Sequence, residues 1–167
     1  AGAGTNSITV TWNTAGAQTV RVNYNNTNGC SATTPTTYNV TVNGLPVPTI
    51  TGNTPVCVNS SEVYTTESGM SAYVWNVTGG TITSGAGTNS VTVNWTGVGA
   101  QTISVNYNNG AGCPANTPTS RNITVNALPL PTITGLASVC QNASGVTYTT
   151  EAGMSGYTWS IVGGTIT

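Results

Sequence analysis

Lysine, aspartate, histidine and phenylalanine are all missing from this 167-residue chain. Its charged residues are Arg21, Arg121, Glu62, Glu67 and Glu151, 3% of the chain against about 25% in an ordinary soluble domain. Without His and Asp, the common ligand sets for zinc, iron and copper cannot be assembled. Calcium sites built on Asp clusters are excluded as well. General acid–base chemistry would rest on three Glu and a few Tyr, so no enzyme, metal or cofactor is expected. Two Arg and a net charge of −1 give no basic footprint for nucleic acid or anionic lipid. The lack of Lys excludes Lys–Asn isopeptide cross-links. No apolar run approaches ~18 residues, so no membrane-spanning helix is expected, and no secretory leader pattern is visible.

What fills the chain instead is Thr (34), Gly (21) and Asn (20), together 75 of 167 residues. That composition does not read as disorder, because 37% of residues are apolar and the strand formers Val, Ile, Thr, Tyr and Trp are frequent. A neutral, β-branched, hydroxylated residue suits the wet face of a strand. An ice-binding surface would need a long flat Thr array, which twisted strands do not supply.

The sequence repeats. Residues 1–61 map onto 84–144 at an offset of 83 with 39 identities, and 64–83 map onto 148–167 at an offset of 84 with 14 identities. Thr147 is the extra residue. The unit is 83–84 residues long, and joining Thr167 to Ala1 continues it in phase. The expectation is therefore a two-repeat window of a longer array, out of step with the domain boundaries. Those boundaries are set by Leu45-Pro46-Val47-Pro48 and Leu128-Pro129-Leu130-Pro131, which favour extended backbone, lack N–H donors at Pro and read as stiff linkers. One complete domain is expected over 47–130. Residues 1–46 form the second half of one repeat and 131–167 the first half of the next.

Within the complete domain the apolar residues alternate with period two, the strand signature. Val91, Val93 and Trp95 share a phase, as do Ile103, Val105 and Tyr107, Ile123 and Val125, and Tyr73, Trp75 and Val77. Shorter strands are expected at 48–51, 63–66 and 80–83. About seven short strands in ~85 residues, with a Trp (Trp75) on the third, has the size and pattern of an immunoglobulin-like β-sandwich. The fold class is all-β, in tandem repeats. The expected core is Tyr73, Trp75, Val91, Val93, Trp95, Ile103, Val105, Tyr107, Ile123 and Val125. These phases exchange only among aliphatics between repeats (Ile8/Val91, Val20/Ile103, Val40/Ile123, Val77/Ile161), whereas outward positions vary (Arg21/Ser104, Tyr38/Arg121).

The four Cys occupy two repeat positions, Cys30/Cys113 and Cys57/Cys140. The favoured reading is a Cys57–Cys113 disulfide within the complete domain, formed in an oxidising compartment. Cys30 and Cys140 would then pair outside this window. The alternatives are Cys30–Cys57 with Cys113–Cys140 across the linkers, or free buried thiols, because connectivity is not readable from sequence. Seven Asn-x-Ser/Thr sequons occur, as chance provides in a chain this rich in Asn and Thr. Glu67 and Glu151, the one charge kept in both repeats, read as acceptors for nearby turn amides.

The run from Tyr73 through Trp75-Asn76-Val77-Thr78-Gly79-Gly80-Thr81-Ile82 to Gly87-Thr88-Asn89-Ser90-Val91-Thr92-Val93 carries a resemblance. So do Ile50-Thr51-Gly52, Val56-Cys57 and Gly112-Cys113. The whole chain resembles the PKD-like, immunoglobulin-like repeats of very large surface proteins in Bacteroidota. It departs from the better-known PKD pattern Trp-Asp-Phe-Gly-Asp-Gly, both Asp being absent. The resemblance implies export by the type IX secretion route to the outer surface, and service in adhesins, stalks or gliding-motility filaments. The expected function is that of a structural segment giving reach, spacing and self-packing, with neighbouring repeats of the same array as partners. The alternative is an adhesive module for glycans or another surface ligand.

Overall fold

The computed structural model describes residues 2–167, so residue 1 of the expected half-repeat 1–46 lies outside the described residues. Among the described residues there is no helix, and hence none long and apolar enough to cross a membrane. Two strands, β1 (Gly16–Val22) and β2 (Thr36–Val42), precede the first Leu-Pro-x-Pro segment. Seven follow it: β3 (Val56–Cys57), β4 (Ser61–Thr65), β5 (Ser71–Val77), β6 (Gly80–Ser84), β7 (Ser90–Trp95), β8 (Gly99–Asn108) and β9 (Thr119–Asn126).

These seven strands build a β-sandwich of immunoglobulin type. One sheet has the order β3-β9-β8-β5 and the other β4-β7-β6. All neighbours are antiparallel except β3, which runs parallel to β9 with Val56 opposite Val125 and Cys57 opposite Asn126. The alternating sequence drives the two sheets together. In β7 the side chains of Val91, Val93 and Trp95 are buried while Ser90, Thr92 and Asn94 are partly exposed. Each aliphatic taken out of water in this way contributes about 1.5–3 kcal/mol. The core joins Val56, Tyr64, Trp75, Val91, Val93, Trp95, Ile103, Val105, Ile123 and Val125, with Tyr73 and Val77 packed on it half-buried. Tyr107 is buried against the half-buried ring of Tyr73, their centroids 5.6 Å apart.

One expected strand is not formed. Residues 48–51 make only an isolated bridge, Thr51 to Thr65, and the first strand of the repeat is Val56–Cys57 instead. Pro48 has no N–H to offer a ladder. The carbonyls of Pro48 and Ile50 accept hydrogen bonds from the side chains of Thr119 (2.7 Å) and Arg121 (2.9 Å), so side chains hold the segment up to Thr51, which alone pairs with β4.

Comparing equivalent segments separates local from non-local causes. β1 and β2 pair from Gly16↔Val42 to Val22↔Thr36, the same register as Gly99↔Val125 to Val105↔Thr119 in β8 and β9. Both partners lie within one half-repeat. Ser7–Trp12, by contrast, is irregular, although its counterpart Ser90–Trp95 is β7. β7 is flanked on both sides, by β4 and β6, and the counterparts of both belong to the other half of a repeat. Strand formation at this position is thus set by partners and not by propensity.

The chain divides into two compact units, Ala1–Ala127 and Leu128–Thr167. The second contains one bridge, Thr134 to Thr149, equivalent to Thr51 and Thr65 of the first.

Candidate functional site: the start of the repeat

The polar groups of the complete repeat converge where the chain leaves the first Leu-Pro-x-Pro segment. Pro48 is buried, whereas Leu45 and Val47 are exposed. The second proline of the segment therefore belongs to the folded repeat. Beyond it, the carboxylate of Glu67 accepts a hydrogen bond from the backbone N–H of Thr49 at 3.1 Å and from its hydroxyl at 2.6 Å. The hydroxyls of Thr66 (2.7 Å) and Tyr107 (2.8 Å) donate to the same carboxylate. Tyr73 closes the turn by donating to the Glu67 carbonyl at 2.7 Å and accepting from the Met70 N–H at 3.0 Å.

The electrostatics follow from those contacts. Burial alone would raise the Glu67 carboxyl, but the hydrogen bonds from Thr49 and Thr66 outweigh it and hold it down at about 2. Burial, with the adjacent Glu67 carboxylate, pushes the Tyr107 hydroxyl up to about 12. The group is thus a fixed anion gripped by four donors, suited to fastening the segment after Pro48 and not to proton transfer.

The same clasp recurs in Leu128–Thr167. Glu151 accepts from the Thr132 N–H (3.1 Å) and hydroxyl (2.5 Å) and from the Thr150 hydroxyl (2.6 Å). Tyr157 donates to the Glu151 carbonyl at 2.6 Å and accepts from Met154 at 2.9 Å. The bonds from Thr132 and Thr150 hold Glu151 at about 2 as well. Glu67 and Glu151 each accept a backbone amide, but it is that of Thr49 or Thr132, 18 or 19 residues away, and not one of the nearby turn amides the sequence suggested. The clasp is local, because it forms without the tyrosine that β8 supplies to Glu67.

A second fastening lies beside the first. The side chain of Asn109 accepts the N–H groups of Ala111 and Cys113 on Oδ1, both at 3.0 Å, and donates from Nδ2 to the Gly44 carbonyl at 2.8 Å. The loop after β8 is thereby tied to the segment that follows β2. Neither Thr49 nor Asn109 stands out in the sequence by itself. Their signal is that both positions are kept between repeats, as Thr132 and Asn26.

The expected disulfide is not present. All four Cys are free, Cys30, Cys57 and Cys140 exposed and Cys113 half-buried. The register gives the reason. Cys57 lies opposite Asn126 at the far end of β9, whereas Cys113 precedes Thr119 at its near end. The eight residues of β9 span about 25 Å, several times the roughly 4.4–6.8 Å between Cα atoms that a disulfide bridges.

The core residues expected from the alternation lie as follows. Trp75, Val91, Val93, Trp95, Ile103, Val105, Tyr107, Ile123 and Val125 are buried, and Tyr73 is half-buried. Tyr64, fully buried, is a core residue the alternation did not single out. Its ring meets Trp95 edge-on, with centroids 5.9 Å apart and planes at 86°, and the Trp95 indole N–H donates to its oxygen at 3.1 Å. Tyr64 in turn donates to the Asn53 carbonyl at 2.9 Å. Gly52 lies against this ring at φ 153°, and a Cβ there would overlap the ring atoms. Gly135 stands in the same relation to Tyr148. In the second linker segment Leu128, Pro129, Leu130 and Pro131 are exposed.

The family model of the PKD-like domain matches the chain twice, over residues 44–125 and 126–167. The chain belongs to the PKD-like domain family. No curated protein matches it. PKD-like domains are typically extracellular or surface-exposed modules of structural or adhesive use, and are generally non-catalytic. In this PKD-like repeat the Trp75-Asn76-Val77-Thr78-Gly79-Gly80 segment runs from β5 into the start of β6. Trp75 donates its indole N–H to the Thr88 carbonyl at 2.9 Å, which ties β5 to the turn before β7.

Proposed function

We propose that the chain is a structural segment of an extracellular array of tandem PKD-like repeats, exposed on the outer surface of a bacterium, where it gives reach and regular spacing. In this reading one repeat spans 47–130, and residues 1–46 and 131–167 are halves of its neighbours. The partners are neighbouring repeats of the same array. Adhesin, stalk and gliding-motility filament are the settings that the family resemblance suggests.

The observation that carries the reading is the fastened junction. Asn109 reaches back across the junction to the Gly44 carbonyl, while Thr119 and Glu67 anchor Pro48 and Thr49, where the repeat itself begins. A freely swinging tether would need no bond such as that from Asn109 to Gly44. The clasp at the start of the repeat recurs at Glu151 and Thr132, so the same local anchoring is present at both repeat starts. The glycan-binding alternative gains no support from the complete repeat, whose five aromatics, Tyr64, Tyr73, Trp75, Trp95 and Tyr107, are all buried or half-buried.

Pulling on copies of the chain fused in phase, Thr167 to Ala1, tests the reading. Equal unfolding steps of about 25 nm, one per 83–84-residue repeat, are expected. Extension without discrete steps would contradict it. Binding of the chain to a glycan array would replace it with the adhesive reading.

A further inference from the structure

Cys57 and Cys113 lie at opposite ends of the complete repeat, and each end is a junction. Cys57 stands one strand spacing, about 4.8 Å, from Asn126 at the end of β9. The N–H of Val58 donates to the Asn126 carbonyl at 2.8 Å. Cys57 therefore sits where the chain leaves the repeat. Cys113 sits where it enters. The Cys113 N–H donates to Asn109 Oδ1 at 3.0 Å, and Nδ2 of the same side chain donates to the Gly44 carbonyl at 2.8 Å.

The residue before Gly44 is Asn43, the counterpart of Asn126 at the offset of 83. β1 and β2 keep the register of β8 and β9 up to that point, Gly16↔Val42 matching Gly99↔Val125. A cysteine placed in the preceding repeat as Cys57 is placed in this one lies opposite Asn43. Cys113 reaches the same place from the following repeat, since only the Asn109 side chain separates its N–H from the Gly44 carbonyl. The loop that presents this cysteine is built alike in both repeats. Asn26 Oδ1 accepts the N–H of Asn28 at 3.0 Å and of Cys30 at 2.9 Å.

We propose that a disulfide joins the strand cysteine of each repeat to the loop cysteine of the next and staples the junction. Cys57 bonds the counterpart of Cys113 one repeat further on, and Cys140 does the same from its own repeat. A disulfide compound of an oxidising compartment serves as oxidant. One cysteine thiolate attacks a sulfur of that donor and expels its first thiolate. The other cysteine thiolate then attacks the protein sulfur of the mixed disulfide and expels the second. The two protein thiols lose two protons and two electrons, and the donor is reduced to two thiols.

The link limits what load can do. Force reaching Cys57 crosses the bond to the loop cysteine of the next repeat. The following strand cysteine is 27 residues beyond, as Cys57 is from Cys30 and Cys140 from Cys113. That stretch extends to about 90 Å, close to the folded length of the two repeats it serves, at about 35–45 Å each. A linked array is therefore nearly inextensible.

The proposal rests on the array reading, and the test separates the two. Two copies of the chain, fused Thr167 to Ala1, are oxidised with glutathione disulfide at high dilution and mapped by mass spectrometry. Two links are expected, from Cys57 to Cys30 of the second copy and from Cys140 to Cys113 of the second copy. Under load the reduced fusion should give the equal steps of the array reading. The oxidised fusion should lose about half of its full extension, because the load bypasses residues between linked cysteines. Equal steps from a reduced fusion whose thiols stay free on oxidation overturn the cross-link and leave the array reading standing. So do links from Cys113 to Cys140, from Cys140 to Cys30 of the second copy, or only between molecules. A reduced fusion that extends without steps overturns the array reading and the cross-link with it.

Discussion

Glu67 holds Thr49 twice, by its backbone N–H at 3.1 Å and by its hydroxyl at 2.6 Å. The two residues are 18 apart in sequence, and the pair turns the stretch after Pro48 into part of the sandwich. Removing the charge should loosen that attachment first. Glu67→Gln keeps the shape but leaves the four donors sharing one neutral oxygen. The group is half-exposed, so the expected cost is about 1–2 kcal/mol, the lower part of the range for hydrogen bonds to a charged group. Thermal denaturation of the chain measures it. A cost below a few tenths of a kcal/mol would show that the clasp is incidental.

The same pair sets an acid limit. The Glu67 carboxyl sits at about 2 when folded, below the ordinary value near 4.3. Its contribution is therefore complete above about pH 4.5 and is lost as pH falls toward 2. Tyr107 works in the opposite window. Its folded value of about 12 lies above the ordinary value near 10, so its contribution is complete below about pH 10 and is lost as pH rises toward 12. Denaturation midpoints measured from pH 2 to 12 should fall at both ends. Glu67→Gln should flatten the acid side and Tyr107→Phe the alkaline side.

The Tyr64–Trp95 contact is the most deeply buried polar pair of the repeat. Tyr64→Phe strands the indole N–H in the core and frees the Asn53 carbonyl, at an expected cost of about 1–3 kcal/mol. Trp95→Ala opens a cavity and should cost about 3–5 kcal/mol. A double-mutant cycle with Tyr64→Phe and Trp95→Phe should give a coupling of about 0.5–3 kcal/mol. Additive losses would contradict the bond.

Much of this arrangement is legible in the sequence, and the exceptions have physical causes. Alternation marked β7, β8, β9 and β5 because each buries one face, and it marked Trp75 and Trp95 with them. It passed over Tyr64, whose neighbour Val63 is the more apolar residue yet points outward and is 54% exposed. It assigned a strand to residues 48–51, where side chains from β9 take the backbone carbonyls. The disulfide expectation rested on two cysteines sharing a domain. Only the parallel pairing of β3 with β9 reveals that they lie at opposite ends of a strand. The Glu67 clasp was visible as a retained charge, but its partner Thr49 was hidden among 34 threonines.

The thiols provide a direct check of that correction. Under native, non-reducing conditions Cys57 should react with a maleimide, and peptide mapping should find no Cys57–Cys113 link. Cys57→Ser should leave stability nearly unchanged. A loss near 4 kcal/mol, the size expected for a bridge closing a loop of that length, would restore the disulfide.

Scattering from one, two and three copies of the chain joined in phase tests the proposed structural role most directly. If the junction at Gly44, Pro48 and Thr49 fixes each step, every added copy of two repeats lengthens the particle by a constant 70–90 Å, about 35–45 Å per sandwich. Increments that shrink with each added copy, as for domains on flexible tethers, would contradict the account.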